Sequence, residues 1–183
     1  MTSIVVRPPV LADADDIGRV HIVAWQVGYR GQMPDEYLDG LSVGDRQLVW
    51  RQRLADGFVD NVMFVAEDPL DGHVCGWVGV GALRPEATAD CEPGTGELWA
   101  LNLEPEAWGR GIAPALMTAA VQEMEAQGCR RAILWVLDSN ARGRRFYERE
   151  GWTADGAAKI DVERGFDLHE LRYGRALAPP EAE

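Results

Sequence analysis

The spacing of apolar residues divides the chain into segments of strand and helix character. Residues 3–7 have the pattern of a short strand, which two prolines end. Apolar residues then recur at helical spacing over residues 13–28, and Asp13 stands where a capping residue is expected. A second helical stretch covers about residues 34–54 and is interrupted near residues 40–44. This part of the chain therefore predicts one strand followed by two helices.

The middle of the chain has mainly strand character. Residues 62–67 and 74–83 are strand-like, and the Pro-Leu-Asp-Gly sequence at residues 69–72 predicts a hairpin turn between them. A loop rich in proline, alanine and glycine follows at residues 84–96. Residues 97–103 then predict a fourth strand.

The clearest helix comes next and leads into a fully apolar strand. An apolar face continues from Ala113 to Met124, and Gly128 ends this helix. The continuous apolar run at residues 132–137 is typical of a strand that is covered on both faces. Because strand, helix and strand follow one another, the strands at 97–103 and 132–137 are predicted to be parallel.

The last part of the chain predicts a short helix and two closing strands. The helix covers residues 140–150, and the two strands lie within residues 152–173 around a turn at 163–165. No repeat or linker divides the chain. We therefore predict one α/β domain over residues 1–176, followed by a flexible tail at residues 177–183.

Charge and cysteine content exclude several classes of function. The formal net charge of −12 argues against a protein that binds nucleic acid, and it is compatible with either a cationic substrate or a merely solubilising surface. Three scattered cysteines and three scattered histidines show no metal-binding spacing, and the cysteines suggest reduced thiols. No signal peptide or membrane-spanning run is present, so we expect a cytoplasmic protein.

A glycine-rich turn stands between the predicted strand at residues 97–103 and the clearest helix. It contains Trp108-Gly109-Arg110-Gly111-Ile112-Ala113. Glycine permits turn conformations and a close approach of the backbone, and a helix N-terminus favours phosphate groups. The turn therefore predicts a site for a pyrophosphate, although a turn without any ligand would have the same sequence. It lacks the lysine of a Walker A loop and the three glycines of a dinucleotide loop.

A second segment narrows the interpretation. Residues 138–152 contain Asn140, Phe146-Tyr147 and Gly151, and Asn140 and Tyr147 are seven positions apart. They therefore lie on one helical face, about 10 Å apart along the axis, which suits an extended ligand.

Together, the two segments resemble the acetyl-CoA motifs of the GNAT acetyltransferases. The loop matches Arg/Gln-x-x-Gly-x-Gly/Ala at Gly111 and Ala113, whereas Trp108 departs from the first position and Pro114 removes one potential N–H donor. The resemblance implies a GNAT-like fold, in which a mixed, mostly antiparallel sheet of about six to seven strands has a central splayed parallel pair and about four flanking helices.

The resemblance also implies acetyl-CoA as cosubstrate, no metal and a set of site residues. Asn140 would bind the pantetheine arm, and Tyr147 would protonate the leaving thiolate. Glu97 is the candidate base, acting through water. The remaining expected cofactor-binding residues are Leu101, Asn102, Leu103, Trp108, Gly109, Arg110, Gly111, Ile112 and Ala113.

Each of these assignments has a structural alternative. Asn140 would cap its helix, a role that is compatible with ligand binding. Tyr147 would be a core aromatic residue beside Phe146, and Glu97 would be a solvent-facing residue at the start of a strand.

The function predicted from these motifs is transfer of an acetyl group to a primary amine by direct attack in a ternary complex, without an acyl-enzyme. Two alternatives are a non-catalytic acyl-CoA sensor of the same fold and an interaction protein that docks through exposed tryptophans. The acceptor stays open between amino acids, polyamines, aminoglycoside-like drugs, small toxic amines and proteins. No nucleic acid or membrane partner is expected, and the resemblance makes a homodimer one assembly to test.

Overall fold

The computed structural model describes residues 4–58, 61–85, 91–162 and 164–178. The described residues include seven strands and five α-helices, which follow one another along the chain as β1 (Val5–Arg7), α1 (Ala14–Gly28), α2 (Asp35–Asp39), α3 (Val43–Asp56), β2 (Asn61–Glu67), β3 (Val74–Gly81), β4 (Thr95–Leu103), α4 (Ile112–Ala126), β5 (Arg131–Leu137), α5 (Ala141–Arg149), β6 (Thr153–Asp161) and β7 (Leu168–Ala176). Short 3₁₀ helices at Leu11–Asp13 and Pro105–Ala107 precede α1 and α4.

The strands form one seven-stranded mixed sheet in the order β1-β2-β3-β4-β5-β7-β6. Strands β4 and β5 are parallel, as the strand–helix–strand sequence predicts, whereas β1 with β2, β5 with β7 and β6 with β7 are antiparallel. The ladder between β4 and β5 joins Thr95–Leu98 to Arg131–Leu134. This arrangement confirms the predicted fold class, and β4 is the central strand of the sheet.

The chain divides into two compact units. The first contains Met1–Val80 and Ala100–Ala120, and the second contains Gly81–Trp99 and Val121–Glu183. Strand β4 and helix α4 each contribute residues to both units.

The core of the first unit lies where α1 and α3 pack on the sheet. Ile17 and Val20 of α1 meet Trp50 of α3, Met63 of β2 and Trp77 of β3. The rings of Trp50 and Trp77 meet edge to face at 5.0 Å between their centroids. Burying a large apolar side chain of this kind contributes about 1.5–3 kcal/mol. The apolar residues of these helices therefore recur about every 3.6 residues to face this core, and that periodicity predicts the helices.

The second unit has its core along β5. Five of the seven residues of this strand are buried, as expected for a continuous apolar run. Helix α5 is attached to β7 through a buried tyrosine: the Tyr173 hydroxyl donates to Glu148 at 2.9 Å and accepts from Arg144 Nε at 3.1 Å.

Some sequence-based expectations need correction. Asp13 occupies the N-cap position of α1 but makes no capping hydrogen bond, because its carboxylate accepts from Arg7 and from the backbone N–H of Val10. The second helical stretch forms two separate helices, α2 and α3, and the break between them confirms the interruption predicted near residues 40–44. Trp50, Trp77 and Trp152 are buried, and the other four tryptophans are of intermediate exposure, so docking through tryptophan stays an alternative.

Several predicted segments extend beyond the described residues. They are the start of the first strand at Ser3, part of the loop at 84–96, Glu163 in the final turn, and residues 179–183 of the predicted tail. Within that tail, Leu177 is buried and its N–H donates to the Arg130 carbonyl. The three cysteines are free thiols. Of the helices described, none has the length and apolar character needed to cross a membrane.

Candidate active site

The glycine-rich turn of the first unit adopts a backbone that side chains disfavour. Gly109 and Gly111 have φ angles of 74° and 83°, both in the left-handed region. Helix α4 begins directly afterwards at Ile112, which is buried and anchors the first helical turn. Two glycines are required here because this conformation is strained for other residues. The turn therefore presents backbone N–H groups beside the positive end of a helix of 15 residues.

Trp108, which replaces the usual first residue of the motif, joins the turn to the preceding strand. Its indole Nε1 donates to the carbonyl of Leu103 at 3.2 Å. Leu103 and Asn102 are buried at the end of β4, and Leu101 is partly buried. The carbonyl of Leu103 is thus bound within the protein. The sequence pattern does not predict this contact, because it shows only that Trp108 departs from the motif.

The side chain of Arg110 points to the end of β2. Its guanidinium donates to both carboxylate oxygens of Asp68, at 2.6 and 2.9 Å. The hydrogen bonds from Arg110, opposed by burial and helped by the N–H of Leu70, lower the pKa of Asp68 to about 2. The ion pair is therefore formed throughout the neutral range. It joins residues 42 positions apart, so local patterning gave no signal for it.

A second ionic cluster lies at the end of β4. Buried Glu104 accepts hydrogen bonds from Arg19 and from His73. Burial lowers the pKa of His73, but the hydrogen bonds to Glu104 and Asp71 outweigh it, so the pKa is raised. Potential metal-ligating atoms of Asp68, His73 and Glu104 lie within 4.8 Å of one another. Each of these carboxylates is already paired with an arginine, and the expectation of an enzyme without a metal stays a prediction.

In the second unit, Asn140 caps helix α5. Its side-chain oxygen accepts from the N–H of Gly143 at 2.9 Å. A Cβ at position 143 would lie only 2.7 Å from the amide nitrogen of Asn140, so glycine allows the capping side chain to fold over the first turn. Capping of α5 by Asn140 is therefore confirmed, and its binding to the pantetheine arm stays a prediction.

Tyr147 lies near the end of the same helix and is partly buried. Its ring stands 6.5 Å from that of fully buried Trp152, and its carbonyl accepts from the Trp152 N–H at 3.0 Å. The Tyr147 backbone and ring are thus fixed by packing. A role for its hydroxyl in proton transfer stays a prediction.

Glu97 is fully buried, at 0% exposure, and among the described residues Arg84 binds its carboxylate. One carboxylate oxygen accepts from Arg84 Nε at 2.9 Å and from Nη2, and the other accepts from the Arg84 backbone N–H at 2.8 Å. The alternative of a solvent-facing Glu97 is therefore wrong. A carboxylate offers about four lone-pair sites, and three of them accept hydrogen bonds from Arg84.

Comparison with known proteins identifies the family. Residues 25–152 match the model of the family described as Acetyltransferase (GNAT) family. The uncharacterized N-acetyltransferase YuaI of Bacillus subtilis is 30% identical over 137 residues, which are 75% of this chain and 73% of that protein. The mycothiol acetyltransferase of Beutenbergia cavernae is 34% identical over 98 residues, covering 52% of this chain but 30% of that longer protein.

A solved structure agrees with this result at the level of the fold. The GNAT superfamily phosphinothricin acetyltransferase from Sinorhizobium meliloti, in complex with acetyl-CoA, has a TM-score of 0.67 and 21% identity, and the match covers 100% of this chain and 93% of that one. The family match, the relatives and the fold lead to one conclusion: this chain belongs to the GNAT family of acetyltransferases.

Proposed function

We propose that this protein transfers the acetyl group of acetyl-CoA to a primary amine by direct attack in a ternary complex. The observation that carries the proposal is the turn at Gly109–Gly111, in which both glycines have positive φ immediately before helix α4. In a member of an acetyltransferase family, such a turn fits the pyrophosphate of the cofactor.

The pyrophosphate would be bound by the backbone of this turn. The side chain of Arg110 is paired with Asp68, so the donors are the N–H groups near Gly109, Gly111 and Ile112 together with the helix dipole. Such binding does not require arginine or glutamine at the first motif position. It explains how Trp108 can stand there and support the turn through its bond to Leu103.

The pantetheine arm would pair with backbone groups near Leu101 and Asn102 of β4, beyond the ladder that joins Thr95–Leu98 to β5, as an added strand does. The Leu103 carbonyl already accepts from Trp108, and a role for Leu103 toward the cofactor stays a prediction. Asn140 would contribute its side-chain amide nitrogen, because the oxygen of that amide is engaged in capping α5.

The reaction forms a C–N bond and breaks the C–S bond of the thioester. An alkyl amine with a pKa near 10 must lose a proton before attack, and a thiolate must gain one as it leaves. We assign the second proton to the Tyr147 hydroxyl. Glu97 is retained as the candidate base, acting through water, while its described contacts hold Arg84.

Direct transfer is supported by the properties of the thiols. Burial raises the pKa of Cys75 to about 11, and it also raises the pKa of Cys129. A thiol protonated at neutral pH is a poor nucleophile, so neither residue is suited to form an acyl-enzyme.

The experiment that tests the proposal has two parts. Thermal unfolding is measured with CoA and acetyl-CoA, where saturation at about 100 times the dissociation constant adds about 2.7 kcal/mol of stability. Thiol release from acetyl-CoA is then followed with a panel of amino acids, polyamines, aminoglycosides and peptides. An unchanged melting temperature at millimolar ligand refutes cofactor binding, and binding without thiol release from any amine refutes the proposed reaction.

A further inference from the structure

The segment Gly109–Gly111 contains a single side chain, that of Arg110. Glycine loses more conformational freedom on folding than any other residue, so two glycines with positive φ make this turn costly to hold in one conformation. Within these three residues, the Arg110 side chain connects the turn to a distant part of the protein, in addition to the bond of the neighbouring Trp108 to Leu103. What Arg110 binds therefore contributes to how well the turn is ordered.

Asp68 is built as a rigid partner for Arg110. Its backbone N–H donates to the His73 carbonyl at 2.8 Å, and its own carbonyl accepts from Gly72 at 2.8 Å, so the residue is fixed at the base of the β2–β3 turn. Its carboxylate also accepts from the Leu70 N–H at 2.8 Å. Two parallel bonds to a planar guanidinium fix orientation as well as distance.

We propose that Asp68 is a positioning residue for the pyrophosphate turn, which it holds in the binding-competent conformation through Arg110. The inference rests on the proposed function. It assigns a role in cofactor binding to a carboxylate directly after β2, which lies outside the glycine motif and carries a charge of the same sign as the ligand.

The direction in which Asp68→Asn changes CoA affinity separates a positioning role of Asp68 from direct binding of phosphate by Arg110. If Arg110 bound phosphate directly, Asp68→Asn would release the guanidinium and remove a nearby negative charge, and CoA would bind more tightly. If Asp68 positions the turn, the same substitution lowers the fraction of competent protein. A fall of that fraction to about one tenth weakens CoA binding about tenfold.

The chain offers a closely matched control in the pair of Arg7 with Asp13. Arg7 donates to both oxygens of Asp13 at 2.7 and 3.0 Å, and Asp13 also accepts from a backbone N–H at 2.7 Å. The side-chain exposures are 31% and 9%, compared with 31% and 6% for Arg110 and Asp68. Arg7 also donates to Glu67 at 2.6 Å, so Asp13→Asn makes the same chemical change in a comparable ion pair whose arginine keeps a second carboxylate, without touching the turn.

The experiment measures the CoA dissociation constant and the kinetics of acetyl transfer for Asp68→Asn and Asp13→Asn. Asp68→Asn is expected to raise the CoA dissociation constant and the KM for acetyl-CoA about tenfold and to leave kcat within about twofold, because only the competent fraction changes. Asp13→Asn is expected to lower thermal stability but to leave both cofactor constants within about twofold, because the turn is untouched.

A third variant keeps the inference testable if Asp68→Asn does not fold. Arg110→Gln alters a partly exposed side chain and is expected to weaken CoA binding as Asp68→Asn does, and combining both changes should add nothing further. Unchanged or tighter CoA binding by Asp68→Asn, or by Arg110→Gln, overturns the inference. Failure of the wild-type protein to bind CoA would instead refute the proposed function.

Discussion

Replacing Glu97 with glutamine distinguishes a base from an internal salt-bridge partner. The carboxylate is fully buried and accepts three hydrogen bonds from Arg84. Glutamine keeps the shape, but its amide group cannot accept the bonds that one carboxylate oxygen receives, and it places N–H groups against those of the arginine. The variant therefore loses at least one charge-assisted hydrogen bond.

The magnitude follows from these contacts. A hydrogen bond to a charged group contributes about 1.5–3 kcal/mol, and the Arg84 side chain is 38% exposed, so water replaces part of what is lost. We therefore expect Glu97→Gln to cost about 2 kcal/mol of folding stability. For a chain of this length, that corresponds to a fall in Tm of about 4–8 °C.

Two measurements then separate the roles. If Glu97 is the base, kcat of the folded variant falls about 10²- to 10⁴-fold across the neutral pH range. Arg84→Met provides the contrast, since it removes the arginine side chain but keeps the carboxylate. A base remains functional in Arg84→Met, so kcat is lost in Glu97→Gln only. Equal losses of kcat in both variants would refute the base role, and an unchanged Tm in Glu97→Gln would refute the structural argument.

Four further predictions concern the other site residues. Gly111→Ala places a side chain at a φ of 83° and should cost about 1–2 kcal/mol of stability, and Gly111→Val should in addition abolish CoA binding by titration calorimetry. Tyr147→Phe should lower turnover about 10²- to 10⁴-fold without changing acetyl-CoA affinity, and full turnover would disprove the general-acid role. Asn140→Ala should weaken CoA binding and cost about 1 kcal/mol of helix capping, whereas Asn140→Asp should keep the cap and lose only affinity. The hydrogen bonds from Arg110 hold the pKa of Asp68 at about 2, below its ordinary value. This pair therefore stabilises the folded protein above about pH 4, and the stabilisation is lost as the pH falls toward 2. In acid unfolding, the difference in stability between wild type and Asp68→Asn should close over that pH range.

The sequence predicts the elements well because periodicity and glycine placement are local properties. The apolar face from Ala113 to Met124 lies within α4, and the apolar run at residues 132–137 lies within β5. Gly128 and Gly151, predicted to end two helices, both have positive φ angles. The parallel arrangement of β4 and β5 also follows from the local order of strand, helix and strand.

The ionic contacts around the motifs could not be predicted in the same way. Arg19 and Glu104 are 85 positions apart, and Arg110 and Asp68 are 42 apart. A charged residue in a sequence looks like a solvated surface residue until the fold supplies its partner. The same limitation explains the error at Asp13, where position along the helix suggested a cap but Arg7, on the preceding strand, binds the carboxylate.

These contacts give part of the acidic composition a specific role beyond solubility. Asp68, Glu97 and Glu104 are buried, and a buried carboxylate is costly unless it is paired and hydrogen-bonded. Each is paired with an arginine, and each lies next to a segment expected to handle the cofactor: Glu97 in β4, Glu104 at its end, and Asp68 opposite the glycine turn. Removing one partner of such a pair leaves the other uncompensated, so substitutions at these carboxylates should affect this protein more than substitutions at its exposed acidic residues.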